Sequence, residues 1–167
     1  IVVTTLGLEL LLSFPGFWWK NVLPGVLLLT VVGWRDDKKS VSSLLRLSIQ
    51  LVVSVWLIGF GREGFALTDT VLWATVILAM VWLMNAYNFM DGSNGMAGFQ
   101  GVFAGLTMAV FFQAGNDYSM ALVALAVAAA CVGFLPLNFP VARVFVGDVS
   151  SVPLGFIFAA FAVYGTQ

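Results

Sequence analysis

Apolar residues run along the chain in long blocks, and the blocks are broken at short intervals by turn formers and charges. Runs of this length predict membrane-spanning helices over 1–14, 17–34, 42–60, 68–87, 97–114, 118–137 and 150–166, the first being short for a span. The interruptions are Phe14-Pro15-Gly16, Arg35 to Lys39, Gly61 to Gly64, Asp91 to Gly95, Gly115 to Asp117 and Asn138 to Pro140, the kind of sequence that ends a helix. The expected fold class is all-α: a polytopic transmembrane helix bundle of about seven spans. It fills 1–167 as one membrane domain and leaves no room for a soluble one. Both ends lie at apolar runs and no initiator Met opens the chain, so we expect an interior piece of a longer bundle, incomplete at both ends. No basic segment precedes the first run, so no cleavable signal peptide is visible.

Loops must alternate sides. Those after the second, fourth and sixth predicted spans, with their flanks, hold Arg35, Lys38, Lys39, Arg46 and Arg143, whereas the opposite set holds Lys20 and Arg62. The excess places the first set in the cytoplasm by the positive-inside rule. That face also collects Asp36, Asp37, Asp91 and Asp148, with Asn85, Asn88, Asn94 and Asn138. Carboxylates at the edge of a bilayer are costly, so these are candidate functional residues. Glu63, Asp69 and Asp117, on the other face, read as plain loop acids. Trp18, Trp19 and Trp34 read as interfacial anchors or packing residues.

Composition narrows the chemistry. Hydrophobic residues make up 61% of the chain and charged ones 9%, against roughly 25% charged in a soluble domain; mean hydropathy is +1.03. A net charge of −1 leaves no basic surface for nucleic acid. Histidine is absent, which removes imidazole as base, nucleophile or metal ligand. The single cysteine, Cys131, sits in an apolar run and reads as a small core hydrophobe. Chemistry must therefore come from Asp, Asn, Ser, Lys and Arg.

Three loops carry it. Asp36 and Asp37 close a helix, where negative charge is disfavoured by the macrodipole; either Arg35, Lys38 and Lys39 compensate them in a solvated loop, or a cation does. Asn85, Asn88 and Asp91 follow one helix face into one cleft, and Gly92 and Gly95 permit a tight turn with close approach of a ligand. Asp148, with Ser150 and Ser151, opens the last helix. It reads as an N-cap or as a phosphate site in which Asp148 holds a hard cation and Arg143 or backbone N–H groups meet phosphate oxygens. Asp clusters without His or paired Cys suit Mg²⁺, which commonly shares a substrate phosphate.

Asn-Ala-Tyr-Asn-Phe-Met-Asp-Gly-Ser-Asn-Gly-Met-Ala-Gly at 85–98, Arg-Val-Phe-Val-Gly-Asp-Val-Ser-Ser at 143–151, and Asp36-Asp37 ten residues before Arg46 together resemble the polyprenyl-phosphate N-acetylhexosamine-1-phosphate transferases, glycosyltransferase family 4. The likeness covers nearly the whole chain, and Asn-Phe-Met-Asp-Gly is closer to the branch that initiates O-antigen and related surface polysaccharides. It implies a multi-span enzyme of the bacterial inner membrane with cytoplasmic active-site loops, moving a sugar 1-phosphate from a UDP-N-acetylhexosamine to undecaprenyl phosphate and releasing UMP. Carried over by position, Asp148 is the implied Mg²⁺ ligand, with Asp91 as a second ligand and Mn²⁺ as an alternative ion. Asp36 and Asp37 sit by the lipid phosphate and count with Asp91 as catalytic; Asn85, Asn88, Asn138 and Arg143 bind substrate. A homodimer is left open.

The resemblance has departures. Ser150 stands where the family's Gly-Asp-x-Gly-Ser motif has Gly, Asn94 stands where many relatives have Asp, and the family's upstream Arg-Gly-Gly loop and downstream His-containing loop are missing. Three other readings are a transporter with a carboxylate cluster, an intramembrane aspartyl protease built on Gly147-Asp148, and a non-catalytic remnant. A transporter would place ionisable residues in mid-span rather than at helix ends. The protease would carry Gly where Phe145 stands and would leave the Asn-rich loop without a role.

Overall fold

In the computed structural model, residues 16–61 and 70–166 are described, and among them the chain is helix and loop with no strand. A π-helical turn, Trp18–Val22, leads into α1 (Leu23–Lys38); α2 (Ser43–Gly61), α3 (Thr70–Met90), α4 (Met96–Ala114), α5 (Tyr118–Asn138) and α6 (Asp148–Tyr164) follow. These are the second to seventh predicted spans. The first prediction, over 1–14, and the loop around Arg62 and Glu63 lie outside the described residues. By length and composition α3, α4 and α5 can each cross a membrane, while α6 and the 43–59 stretch of α2 are apolar but shorter. The chain forms an all-α membrane helix bundle.

Local sequence explains the irregularities. Pro24 cannot donate a backbone N–H and crowds the carbonyl four residues back, and the wider π turn just before it relieves that crowding: the Leu23 N–H reaches Trp18 O instead. At the far end of the bundle Asp117 caps α5 by accepting the Met120 N–H at 3.0 Å, and it also accepts the Tyr164 hydroxyl at 2.7 Å. The loop acid of the sequence is thus a cap that ties α5 to the end of α6. Large apolar side chains such as Val71, Trp82, Phe89 and Phe103 point outward and exposed, which is the stable arrangement when the surrounding solvent is hydrocarbon.

Helix α6 is the axis of the bundle. It buries Val152, Phe156, Phe158, Ala160 and Phe161, and packs broadly on both α1 and α3. Membrane helices gain little from hydrophobic burial against one another, so close backbone approach through small residues carries the packing. Gly33 of α1 lies against the start of α6, where an added Cβ would fall 2.4 Å from Asp148 O and 2.6 Å from Val149 N. From the other side, a Cβ on Gly155 would fall 2.7 Å from Met84 Cα on α3. These two contacts fix α1 and α3 on either side of α6. They leave the last turn of α1, with Asp36 and Asp37, and the last turns of α3, with Asn85 and Asn88, beside Asp148. A second pair, α4 and α5, closes through Gly98, Gly101 and Gly105 against Leu135, Cys131 and Ala128.

Gly33→Ala is therefore expected to destabilise the full-length protein by about 1–3 kcal/mol, because backbone must move to admit the methyl group. Gly59→Ala, on a helix with nothing within 4 Å of its Cβ position, should be neutral or stabilising by up to about 1 kcal/mol. Thermal unfolding of both variants in detergent checks the pair.

Candidate functional site

The start of α6 is held by carboxylates from two other helix ends. Gly147 has φ +71°, a left-handed conformation open to glycine, and a Cβ there would meet Asp37 Oδ2 at 2.9 Å. Asp91 accepts the Val146 N–H (2.9 Å) on one oxygen and the Gly147 N–H (2.7 Å) on the other. Asp37 does the same for Asp148 (3.2 Å) and Val149 (3.3 Å). The next two N–H groups, of Ser150 and Ser151, turn back to Gly147 O. In sequence Asp148 reads as an N-cap with free N–H groups for phosphate; in the structure the N-cap is Gly147, Asp148 is the first helical residue, and Asp37 meets the N–H groups a phosphate would have used. A negative side chain is the natural partner for the positive end of a helix, and here it comes from another helix.

Freed from capping, the Asp148 side chain faces a polar cluster. Its Oδ1 accepts from the Asn88 amide, which also donates to Ser151 Oγ at 3.2 Å. Its Oδ2 accepts from Arg46 Nη1 at 2.8 Å, and the same nitrogen donates to Asp36 Oδ2 at 2.7 Å. Asp36 Oδ1 is met by the Val41 N–H. That N–H chiefly holds the Asp36 carboxyl below the usual carboxylate range, whereas burial first, and then the Asp36 carboxylate, push Asp148 above it. Asp36 and Asp148 are 13% and 20% exposed and Arg46 is 36% exposed, so the acids are the sheltered members of the pair.

Two residues at the site have no role assigned from sequence: Arg46, which enters only as a loop charge and as the spacing mark of the Asp36-Asp37 motif, and Gln50. Gln50 is buried and accepts the Asn85 amide through Oε1 at 2.7 Å, which ties α2 to α3 one turn further into the bundle. Their spacing on α2, i and i+4 beneath an acidic helix end, was the available signal. Between Gln50, Arg46, Gly33 and Asp148 lies a cavity of about 20 Å³, enough for roughly one water. Beside it a groove of about 630 Å³ runs between α1 and α2, with Val31, Val32, Leu45 and Ile49 along its walls and Arg35, Lys38 and Lys39 at its mouth. Lys38 also stacks over the Trp34 ring at 3.9 Å.

The structure thus brings together Asp36, Asp37, Asn88, Asp91 and Asp148. Asn85 is displaced toward Gln50. Asn138 is fully buried, accepting the Gly95 N–H at 2.7 Å and donating to Val144 O at 2.8 Å; its amide holds two loops together. That bond also occupies the Gly95 N–H, which the sequence offered to a ligand. Arg143 is exposed, and its side chain has no polar partner among the described residues. No group of three or more acidic, Cys or His side chains among the described residues forms a metal cage by itself. Two carboxylates drawn to one cationic nitrogen nevertheless fit a hard divalent ion that takes its other ligands from water and substrate.

A family model for glycosyl transferase family 4 matches residues 19–166, and the chain belongs to that family. It is 31% identical over 169 residues to a decaprenyl-phosphate N-acetylglucosaminephosphotransferase of Mycolicibacterium smegmatis, covering 87% of this chain and 42% of that protein. It is 29% identical over 151 residues to a probable undecaprenyl-phosphate N-acetylglucosaminyl 1-phosphate transferase of Bacillus subtilis, covering 84% and 42%. A phospho-N-acetylmuramoyl-pentapeptide-transferase of a Synechococcus strain is 31% identical over 169 residues, covering 89% and 49%. The chain spans less than half the length of these relatives.

Replacing Asp91 by Asn leaves one acceptor for two N–H groups and turns an amide N–H₂ toward the other. The 144–149 segment is expected to lose about 1–3 kcal/mol of local stability, read as faster hydrogen exchange at Val146 and Gly147 with the α4–α5 pair unchanged.

Proposed function

We propose that the intact protein transfers a sugar 1-phosphate from a UDP-N-acetylhexosamine to undecaprenyl phosphate, releases UMP, and so initiates a lipid-linked surface polysaccharide at the cytoplasmic face of a bacterial inner membrane. The observation that carries this reading is the convergence of three helix ends on Asp148, beside a groove that is apolar along its walls and cationic at its mouth. An isoprenoid phosphate has that same division between chain and headgroup. The family relatives named for polyprenyl-phosphate substrates support the acceptor.

In this reading Asp148 and Asp36 hold Mg²⁺ or Mn²⁺, and Asp91 and Asp37 hold the start of α6 so that the Asp148 side chain stays turned to the site. When bound, the ion neutralises the donor diphosphate and the charge on the departing UMP. Arg35, Lys38 and Lys39 meet the lipid phosphate, while Val31, Val32, Leu45 and Ile49 cover its first apolar units. Asn88 orients Asp148, and Arg143 supplies a cation for the donor's phosphates. The acceptor is a phosphate monoester whose second pKa is roughly 6, so it is largely a dianion at neutral pH and needs little help from a base. Its oxygen attacks the phosphorus bearing the sugar. The bond from that phosphorus to the bridging oxygen breaks, and that oxygen leaves on UMP. Alignment and charge neutralisation then supply most of the rate.

UMP release from membranes containing the full-length protein, supplied with undecaprenyl phosphate and a panel of UDP-N-acetylhexosamines, tests the reading. Release with one donor should be abolished by EDTA and by Asp148→Asn. A Lys38→Ala, Lys39→Ala double variant should raise the KM for the lipid acceptor about tenfold with a smaller change in kcat, as expected when two charge contacts to a phosphate are lost. Absence of UMP release with every donor, from protein shown to be folded and inserted, would overturn the assignment.

A further inference from the structure

We propose that Arg46 is a built-in counter-ion occupying the cation position of the metal-free site, and that a divalent ion binds there by displacing it. The proposal rests on the reading of Asp148 and Asp36 as metal-holding residues. It starts from how the four carboxylate oxygens are used. On each acid Oδ1 is met by a neutral donor, the Val41 N–H on Asp36 and the Asn88 amide on Asp148. On each acid Oδ2 is met by the same atom, Arg46 Nη1, at 2.7 and 2.8 Å. The two oxygens left for a cation are therefore the two that one guanidinium nitrogen bridges, across 10 residues of sequence on one side and 102 on the other.

Coulombic repulsion makes the two occupants exclusive. Mg²⁺ takes its oxygen ligands at about 2.0–2.1 Å, and a guanidinium still seated between the same oxygens would place a positive charge against it in a sheltered setting. Arg46 can leave more readily than either acid: it is on α2, is more exposed than its partners, and is carried on a flexible stem. Without it, Asp36 and Asp148 would face one another at the edge of the bilayer with no charge between them. Arg46 thus stabilises the metal-free fold and weakens the site for free metal. The ion then binds well when it arrives with a diphosphate, whose oxygens complete its shell and whose charge receives the released guanidinium.

The test is Mn²⁺ binding to the full-length protein in detergent, read from the EPR signal of free Mn²⁺ at constant ionic strength, without substrates. Arg46→Gln is expected to bind one Mn²⁺ about tenfold more tightly than the wild type or better, with Arg46→Lys between them. That site should vanish in the Arg46→Gln, Asp148→Asn double variant. Affinity in Arg46→Gln equal to or weaker than wild type, in protein with unchanged helicity, would overturn the proposal and leave the metal site standing. No stoichiometric Mn²⁺ in either protein would overturn the metal site itself. Should Arg46→Gln fail to fold, Arg46→Lys decides alone: a rise in affinity supports displacement, and no rise refutes it.

Discussion

Four consecutive backbone N–H groups, from Val146 to Val149, are taken by two carboxylates that come from the ends of other helices. Everything at the site follows from that capture. A helix N-terminus inside a membrane protein must find acceptors for its first N–H groups, and its own side chains are the usual source. Here Asp91 and Asp37 supply them, which leaves Asp148, the first residue of the helix, free to turn its carboxylate toward Asn88 and Arg46. The first residue of the helix is released from the task its position would normally impose.

The capture is possible because the helices touch at glycines. Gly33 and Gly155 admit backbone to within a side chain's width on opposite sides of α6; Asp36 and Asp37 follow about one turn beyond the first contact, and Asp91 about two turns beyond the second. Helix spacing, set by two missing side chains, thus becomes the spacing of charges. A larger residue at either glycine would move both the packing and the electrostatics. The fold and the site share one geometric determinant.

How much of this is visible in sequence depends on the range of the interaction. Six of the seven predicted spans correspond to helices, because an apolar run reports its own length, and the first lies outside the described residues. The Asp and Asn positions that converge on Asp148 are legible because each sits where an apolar run stops. Gln50 is not legible, and the role of Arg46 is hidden behind its place in a motif, since both lie within an apolar helix and their partners are supplied by the fold: Asp148 is 102 residues from Arg46 and Asn85 is 35 from Gln50. Which acids cap and which face the site is equally hidden. Asp37 and Asp36 are adjacent in sequence, yet one binds backbone and the other a guanidinium, because successive residues of a helix point about 100° apart.

The order of synthesis gives the close packing on α6 a further meaning. Asp36, Asp37, Arg46, Asn88 and Asp91 all precede α6 in the chain, so until α6 is made these groups lack the backbone and the carboxylate that complete them. Only when the last described helix slides between Gly33 and Met84 do Asp37 and Asp91 acquire their N–H partners and Arg46 its second acid. A nascent chain without α6 would display an acidic membrane edge with no organised centre. Organisation of the site is in this sense timed by insertion of one helix.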